Sequence, residues 1–215
     1  MINEESKKQL EARKALNQQP LNTLSPIDAR KQFNEAKENV GFLNIEILNV
    51  ENRKIEVNGT KINIRIFSDS NENNLPLLVN FHGGGWVLGD LDSDESMCKF
   101  LSKKSGYKVI SVDYRLAPEN KFPIPLEDCY ESLLYFYENS KEFGINPEKI
   151  SICGTSAGGN LSAAVSLLLR DNNKNIVKSQ ILFCPVTDND FNTKTYIEYV
   201  EGFGLDKAVM LWFWN

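Results

Sequence analysis

Residues 154–158 read Gly-Thr-Ser-Ala-Gly, the pattern G-x-S-x-G that is typical of a nucleophilic serine on a sharp turn. A predicted apolar strand, 149–153, leads into the pattern, and a predicted helix, 158–169, leaves it. We expect the two glycines to let the strand and helix backbones approach closely, which pushes the Ser156 hydroxyl out of the turn. The N–H of Ala157, at the helix start, would then face a developing oxyanion.

A second group that could do chemistry is a glycine loop, residues 82–86, which follows the predicted apolar strand 77–81. Consecutive glycines free a backbone to turn several N–H groups toward one point. We expect the N–H groups of Gly83 and Gly84 to join that of Ala157 as oxyanion donors, whereas the simpler interpretation is a flexible turn. The loop motif comprises His82, Gly83, Gly84, Gly85 and Trp86.

Three stretches together resemble a known family. They are His-Gly-Gly-Gly-Trp at 82–86, Gly-Thr-Ser-Ala-Gly-Gly-Asn at 154–160, and the segment 111–128, with Ser-Val-Asp-Tyr-Arg-Leu-Ala-Pro-Glu, then Phe-Pro and Glu-Asp. The chain, from about Pro20 to Asn215, is similar to the hormone-sensitive-lipase-like esterases of the α/β-hydrolase fold. Thr155 departs from the family pattern, because many members carry an acidic residue there.

The resemblance implies acyl transfer at Ser156, with a histidine as general base and an aspartate that orients it. In the family both follow on later strands, and no residue of this sequence maps onto either position, so the triad acid and base are absent from this chain. His82 is the one histidine, and we interpret it as a structural or loop-orienting residue. Asp188 is an acid candidate by position alone, since the resemblance places the family acid on a later strand.

Composition restricts the function classes. The 215 residues carry a net charge of −5, and no basic stripe indicates a nucleic-acid partner. No apolar run is long enough to span a bilayer. The polar N-terminus shows no signal peptide, so a cytoplasmic location is expected. With one histidine and four dispersed cysteines, we expect no metal site, no cofactor and no disulfide, and we expect four small buried side chains at Cys98, Cys129, Cys153 and Cys184.

The pattern of elements predicts a mostly parallel α/β sheet with helices on both faces. Isoleucine-rich strands at 44–50, 53–57 and 61–66 precede it, with Asn58-Gly59 as a hairpin turn. Asp113, Arg115 and Glu119 are interpreted as a buried structural network. The remaining predicted strands are 108–113 and 179–184, and the remaining predicted helices are 92–105 and 125–140.

Both ends of the chain are predicted to be helical. Residues 1–40 are predicted to form an N-terminal helical segment, whose second helix begins at Ser25 as N-cap and Pro26. The resemblance implies that this segment is part of a cap over the active site, and the alternative is an appended, solvated helical hairpin. Residues 41–215 form an incomplete α/β-hydrolase domain, truncated before the last strands, of which 190–215 belong to the cap. The predicted substrate-pocket residues are Trp86, Phe203 and Trp212.

The sequence therefore predicts a serine carboxylesterase of small apolar esters that is inactive alone, for which a separate C-terminal fragment is an expected partner. The alternative is a non-catalytic small-ligand-binding protein on the same scaffold, similar to the esterase-like gibberellin receptors, which lack the triad histidine. An intact Ser156 with both halves of an oxyanion hole favours the enzyme. No feature supports an interaction protein without a small-molecule site.

Overall fold

The computed structural model describes residues 3–39, 44–200 and 202–215. Its contacts divide the chain into two compact units, one made of Met1–Gly41 with Asp188–Asn215 and the other of Phe42–Thr187. The second unit holds the sheet and is called the sheet unit; the first is called the terminal unit. The cap role predicted for the terminal segments stays a prediction.

The sheet has six strands in the order β1-β2-β4-β3-β5-β6. Strands β3, β4, β5 and β6 pair in parallel, whereas β1 and β2 form an antiparallel hairpin that joins β4. The mostly parallel sheet predicted from the sequence is therefore confirmed. The strands are β1 Asn49–Val57, β2 Thr60–Ser68, β3 Leu75–Phe81, β4 Lys108–Asp113, β5 Ile145–Thr155 and β6 Val177–Phe183.

Seven α-helices accompany the sheet within the described residues: α1 Glu4–Ala15, α2 Pro26–Asn39, α3 Glu95–Ser105, α4 Ile124–Glu138, α5 Ala157–Asp171, α6 Lys194–Glu198 and α7 Lys207–Trp214. The predicted start of α3 at about residue 92 was wrong, because residues 91–94 form a turn before the helix. Its predicted end is confirmed, since Gly106 takes the left-handed conformation with φ 72°. None of the helices in these described ranges is long and apolar enough to cross a bilayer.

Alternate residues of β3 supply two separate cores. Leu77, Val79 and Phe81 pack in the larger cluster with side chains of α4 and α5, whereas Leu78 packs in a smaller cluster with Cys98 of α3. Because successive strand residues point to opposite faces, α3 covers one face of the sheet and α4 and α5 cover the other. This confirms the predicted α/β architecture with helices on both faces.

The hairpin of β1 and β2 turns at Asn58 and Gly59, whose φ angles are 49° and 71°. Both values are left-handed, as a two-residue hairpin turn of this type requires. The register pairs Val57 with Thr60, so the predicted turn is confirmed. Strand β1 is one strand that begins at Asn49, so most of the isoleucine-rich stretch 44–50 precedes it.

Strand β6 is an edge strand of the sheet among the described residues. Its residues Ile181 and Phe183 are 40% and 38% exposed. Cys184 follows the strand and is exposed, which corrects the prediction that all four cysteines are buried; the other three are buried, and all four are free thiols. The prediction was wrong because β6 lies at an edge of the described sheet, where Phe183 next to the cysteine is exposed as well.

In the terminal unit, Ser25 caps α2 as predicted. The N–H of Asp28 donates to Ser25 Oγ at 3.2 Å, and Ser25 Oγ donates to Asp28 Oδ2 at 2.6 Å. The helical C-terminal end predicted from the sequence is also present as α7, where Asp206 accepts from the N–H of Val209 at 3.0 Å. Both helices therefore begin at a side chain that satisfies one of the N–H groups a helix leaves without a partner.

Candidate active site

The two predicted chemical loops lie side by side because their strands do. Strands β3 and β5 are parallel neighbours, and Phe81, the last residue of β3, pairs with Gly154. The loops that follow therefore leave the sheet at the same end. A Cβ on Gly83 would lie 3.0 Å from the carbonyl oxygen of Thr155, so the two loops are in direct backbone contact.

Ser156 occupies the sharp turn between β5 and α5. Its φ of 55° and ψ of −116° are strained for a residue with a side chain, at a cost of about 1–3 kcal/mol. Its N–H donates to the carbonyl of Phe183 at 2.8 Å, and its carbonyl accepts from the N–H of Val186 at 3.3 Å. The strained turn is thus held from both sides by the segment that leaves β6.

The glycines around Ser156 are required by backbone contact. A Cβ on Gly158 would lie 1.8 Å from the carbonyl oxygen of Phe81 and 2.6 Å from that of His82. A Cβ on Gly154 would lie 2.3 Å from the carbonyl group of Gly158. These distances confirm the mechanical reason inferred from the sequence. Helix α5 begins immediately after Ser156, so its first N–H groups have no partner within the helix.

The glycine loop turns through three consecutive residues with positive φ: 121° at Gly84, 61° at Gly85 and 62° at Trp86. The carbonyl of Gly84 accepts from the N–H groups of Val87 and Leu88 at 3.2 and 2.8 Å. A Cβ on Gly84 would lie 2.1 Å from the carbonyl oxygen of Leu88. The turn is thus tight and hydrogen-bonded, which argues against the alternative of a flexible turn.

His82 lies buried at the base of this loop. Its ring stacks on Tyr114 with centroids 4.3 Å apart, and its Nδ1 lies 2.8 Å from the carbonyl oxygen of Gly83. The hydroxyl of Tyr114 donates to the carbonyl of His82 at 2.7 Å. Burial lowers the pKa of the imidazole, so the ring is held neutral with Nδ1–H as donor. Its Nε2 atom has no hydrogen-bond partner among the described residues.

The predicted network of Asp113, Arg115 and Glu119 is built differently. Arg115 donates from its backbone N–H, its Nε and its Nη2 to Asp128, a carboxylate whose side chain is only 3% exposed. Asp113 instead accepts from Asn63 Nδ2 at 3.0 Å. The hydrogen bonds to Asp128 raise the pKa of the Arg115 guanidinium. The arrangement tethers the segment after β4 to helix α4.

A polar row beneath the two loops was missed at the sequence level. Asn80 of β3 lies in register with Ser111 of β4 and Cys153 of β5. Its Nδ2 donates to Ser111 Oγ and to Asp94 Oδ2, each at 3.3 Å, and its Oδ1 accepts from the Cys153 thiol at 3.4 Å. Asn80 could have been noticed as a polar residue in an otherwise apolar strand. Nothing in the sequence around Asp94 indicated that it contacts Asn80.

For the other predicted site residues the structure gives local contacts. Phe203 and Trp212 belong to the terminal unit, where their rings contact Tyr199 and Phe213, and their pocket role stays a prediction. Asp188 accepts from the N–H groups of its neighbours Asn189 and Asp190 at 2.7 and 3.2 Å, in a local turn. In the described ranges, no three metal-ligating side chains converge.

Comparison with known proteins gives a consistent result. A family model described as the α/β-hydrolase fold matches residues 78–215. The chain is 40% identical over 153 residues to an arylesterase of Saccharolobus solfataricus, covering 71% of this chain and 50% of the arylesterase. It is 36% identical to the carboxylesterase NlhH of Mycobacterium tuberculosis, covering 76% of this chain and 52% of that protein.

A solved structure is similar over the whole chain. An ester hydrolase from the metagenome of Lake Arreo, in complex with a bipyridine phosphonate derivative, superposes with a TM-score of 0.94 at 32% identity. The match covers 100% of this chain and 70% of the ester hydrolase. The chain spans about half the length of the two esterases compared above.

Proposed function

This chain belongs to the hormone-sensitive-lipase-like esterases of the α/β-hydrolase fold, and we propose from that premise that Ser156 is the nucleophile of a carboxylic-ester hydrolase. The observation that carries the proposal is the strained turn at Ser156, φ 55°, placed between the start of α5 and the glycine loop. Strain at a side chain with a nucleophilic atom is characteristic of functional sites. A serine with only a structural role has no need of that conformation.

In the proposed reaction, Ser156 Oγ attacks the carbonyl carbon of an ester, and the carbonyl oxygen becomes an oxyanion. The N–H groups of Ala157 and Gly84 stabilise it, with Gly83 as the third predicted donor. Each preorganised donor of this kind is worth about 2.7–4 kcal/mol in the transition state. Loss of the alcohol leaves an acyl-serine ester, which water hydrolyses to release the acid and restore the hydroxyl.

The reaction also needs a general base to take the proton of Ser156. His82 is the one histidine of the sequence, and its ring is buried, stacked on Tyr114 and bonded to Gly83. We therefore propose that the polypeptide of these 215 residues alone turns over esters poorly. Loss of a triad histidine lowers turnover about 10⁶-fold in a comparable serine hydrolase. A histidine supplied by a separate polypeptide would restore it.

A short acyl ester such as p-nitrophenyl acetate tests the proposal directly. We expect slow acetylation of Ser156, detected by mass spectrometry of the peptide that contains it, with little turnover. Ser156→Ala should abolish acetylation. Ser166→Ala is the matched control, since Ser166 lies on α5 and its hydroxyl donates to the carbonyl of Ser162 at 3.0 Å.

Two results would contradict the proposal. Acetylation that persists in Ser156→Ala would show that Ser156 is not the nucleophile. Robust Ser156-dependent turnover would show that the reaction needs no base from outside these 215 residues. The same experiment separates the alternative function, because a non-catalytic binding protein would bind the ester reversibly and leave Ser156 unmodified.

A further inference from the structure

Asp94 stands at the N-cap position of α3, but its side chain does not cap that helix. Its carbonyl accepts from the N–H of Cys98 at 2.9 Å, which is an ordinary first helical bond. The carboxylate makes no capping bond to the N–H groups of α3, all of which lie in the described part of the chain. Aspartate is among the strongest N-cap residues, and a lost cap costs about 1 kcal/mol. The carboxylate has its partners elsewhere.

Those partners belong to the base of the glycine loop. Asp94 Oδ2 accepts from Asn80 Nδ2 at 3.3 Å. Burial, the largest effect, raises the pKa of Asp94, whereas the hydrogen bond from Asn80, the neighbouring His82 and the backbone of Gly83 act in the opposite direction. The carboxylate is thus held next to the last residues of β3, at the base of the glycine loop.

Asn80 is a rigid anchor for this carboxylate. It is fully buried, and its amide also contacts Ser111 Oγ and the Cys153 thiol on the two neighbouring strands. Because all three residues lie on central strands, the position of Asp94 is fixed relative to the end of β3 and the end of β5. An acceptor held in this way can set the direction of a backbone N–H that lies against it.

We propose that Asp94 is a positioning residue for the glycine loop: held by Asn80, it binds the N–H of Gly83 and so fixes the direction of the N–H of Gly84 beside Ser156. On this proposal Gly83 is an anchor of the loop and not the third oxyanion donor predicted from the sequence, so Gly84 and Ala157 are the oxyanion donors. The ordering of the loop stands on its own, whereas its effect on Ser156 rests on the proposed function.

Amide hydrogen exchange tests the ordering without reference to activity. In Asp94→Ala, we expect the peptide covering residues 82–89 to exchange roughly tenfold faster or more, since a charge-assisted bond to Gly83 is lost. Peptides of β3 and α5 should keep their wild-type rates. Asp92→Ala is the matched control, because Asp92 lies on the same turn as Asp94 but is exposed and pairs with Arg65 of β2 at 2.6 Å. In this variant the exchange rate of the loop peptide should equal that of the wild type.

Phosphonylation of Ser156 by a fluorophosphonate tests the effect on chemistry. Asp94→Ala should lower the maximal labelling rate constant roughly tenfold, because the N–H of Gly84 would no longer point at the oxyanion. The half-saturating probe concentration should stay the same. Asp94→Asn keeps an acceptor oxygen without the charge. Its labelling rate constant should lie between those of the wild type and Asp94→Ala, because a hydrogen bond between neutral groups is about half as strong as one to a charged group. This variant also serves if Asp94→Ala does not fold.

Two exchange results would overturn the proposal: an unchanged loop in Asp94→Ala, or acceleration of every peptide together, which would indicate general destabilisation. Labelling at the wild-type rate despite a faster-exchanging loop would also overturn it. If the wild-type protein is not labelled at Ser156, the proposed function fails, and the exchange experiment alone still decides whether Asp94 orders the loop.

Discussion

Two turns of the sheet unit use glycine for different physical reasons. At the hairpin, a Cβ on Gly59 would meet nothing within 4 Å, and glycine is needed only for its φ of 71°. At the sharp turn around Ser156, called the elbow from here on, a Cβ on Gly158 would lie 1.8 Å from the carbonyl oxygen of Phe81, a residue distant in sequence. The hairpin glycine serves a local conformation, whereas the elbow glycine serves a contact between separate elements.

The difference shows which part of the molecule tolerates change. A local conformational cost is limited to the strain of one residue, about 1–2 kcal/mol. A clash between backbones of a central strand and a buried helix cannot be relieved by a rotamer change, so it moves the elements themselves. Ser156 lies where β3, β5 and α5 meet in this way, so its position depends on all three.

The largest expected effect is that of Gly158→Ala. We expect a loss of about 3 kcal/mol or more in the free energy of unfolding, because the added methyl group overlaps backbone atoms of Phe81 and His82. Urea denaturation followed by circular dichroism measures it. A loss equal to that of a hairpin glycine substitution would show that the elbow is no more constrained than an ordinary turn.

The next expected effect is a pH dependence at the base of the glycine loop. Burial lowers the pKa of His82 in the folded protein from its ordinary value of 6.5, although the carboxylates of Asp94, Asp113 and Asp90 act in the opposite direction. Below pH 6.5 the unfolded chain binds a proton that the folded protein does not. Stability is therefore full above pH 6.5 and falls on acidification, by at most about 1.4 kcal/mol per pH unit.

Urea denaturation at pH 7.5, 6.5 and 5.5 checks this dependence. The His82→Gln variant should have a lower free energy of unfolding at all three pH values, and that free energy should change less with pH than it does in the wild type. The raised pKa of Asp94 acts in the opposite direction, because the folded protein takes up that proton more readily than the unfolded chain does. An identical slope in wild type and His82→Gln would mean that His82 does not cause the dependence.

The smallest expected effect is that of Gly59→Ala. Only the left-handed φ of 71° opposes the substitution, since the space around the glycine is open. The strain is partly offset because alanine lowers the conformational entropy of the unfolded chain. The expected loss in the free energy of unfolding is therefore about 1 kcal/mol. Thermal unfolding of the two alanine variants side by side gives the comparison. A Gly59→Ala loss as large as that of Gly158→Ala would contradict the distinction between local and long-range requirements.

Sequence patterns were sufficient where the physical cause was local. The hairpin turn, the Ser25 cap, the Gly106 end of α3 and the strand–turn–helix around Ser156 all depend on neighbouring residues, and the structure has each of them. The two faces of the sheet followed from the apolar runs of its strands.

Long-range polar contacts could not be read in the same way. The bond between Asn80 and Asp94 joins a strand to a helix start, and that between Arg115 and Asp128 joins a loop to α4. Both depend on strand order, which periodicity does not give. The exposure of Cys184 likewise depends on β6 lying at an edge of the described sheet. Neighbouring residues carry no information about that position.

The measurement that tests the central claim most directly is site-mapped labelling by a fluorophosphonate, in native buffer and in denaturing urea. The account predicts that Ser156 is the labelled residue in the native protein and that the reaction is lost when the chain is unfolded, because the turn and its N–H donors make the serine reactive. Equal labelling in urea, or native labelling at another serine, would contradict it.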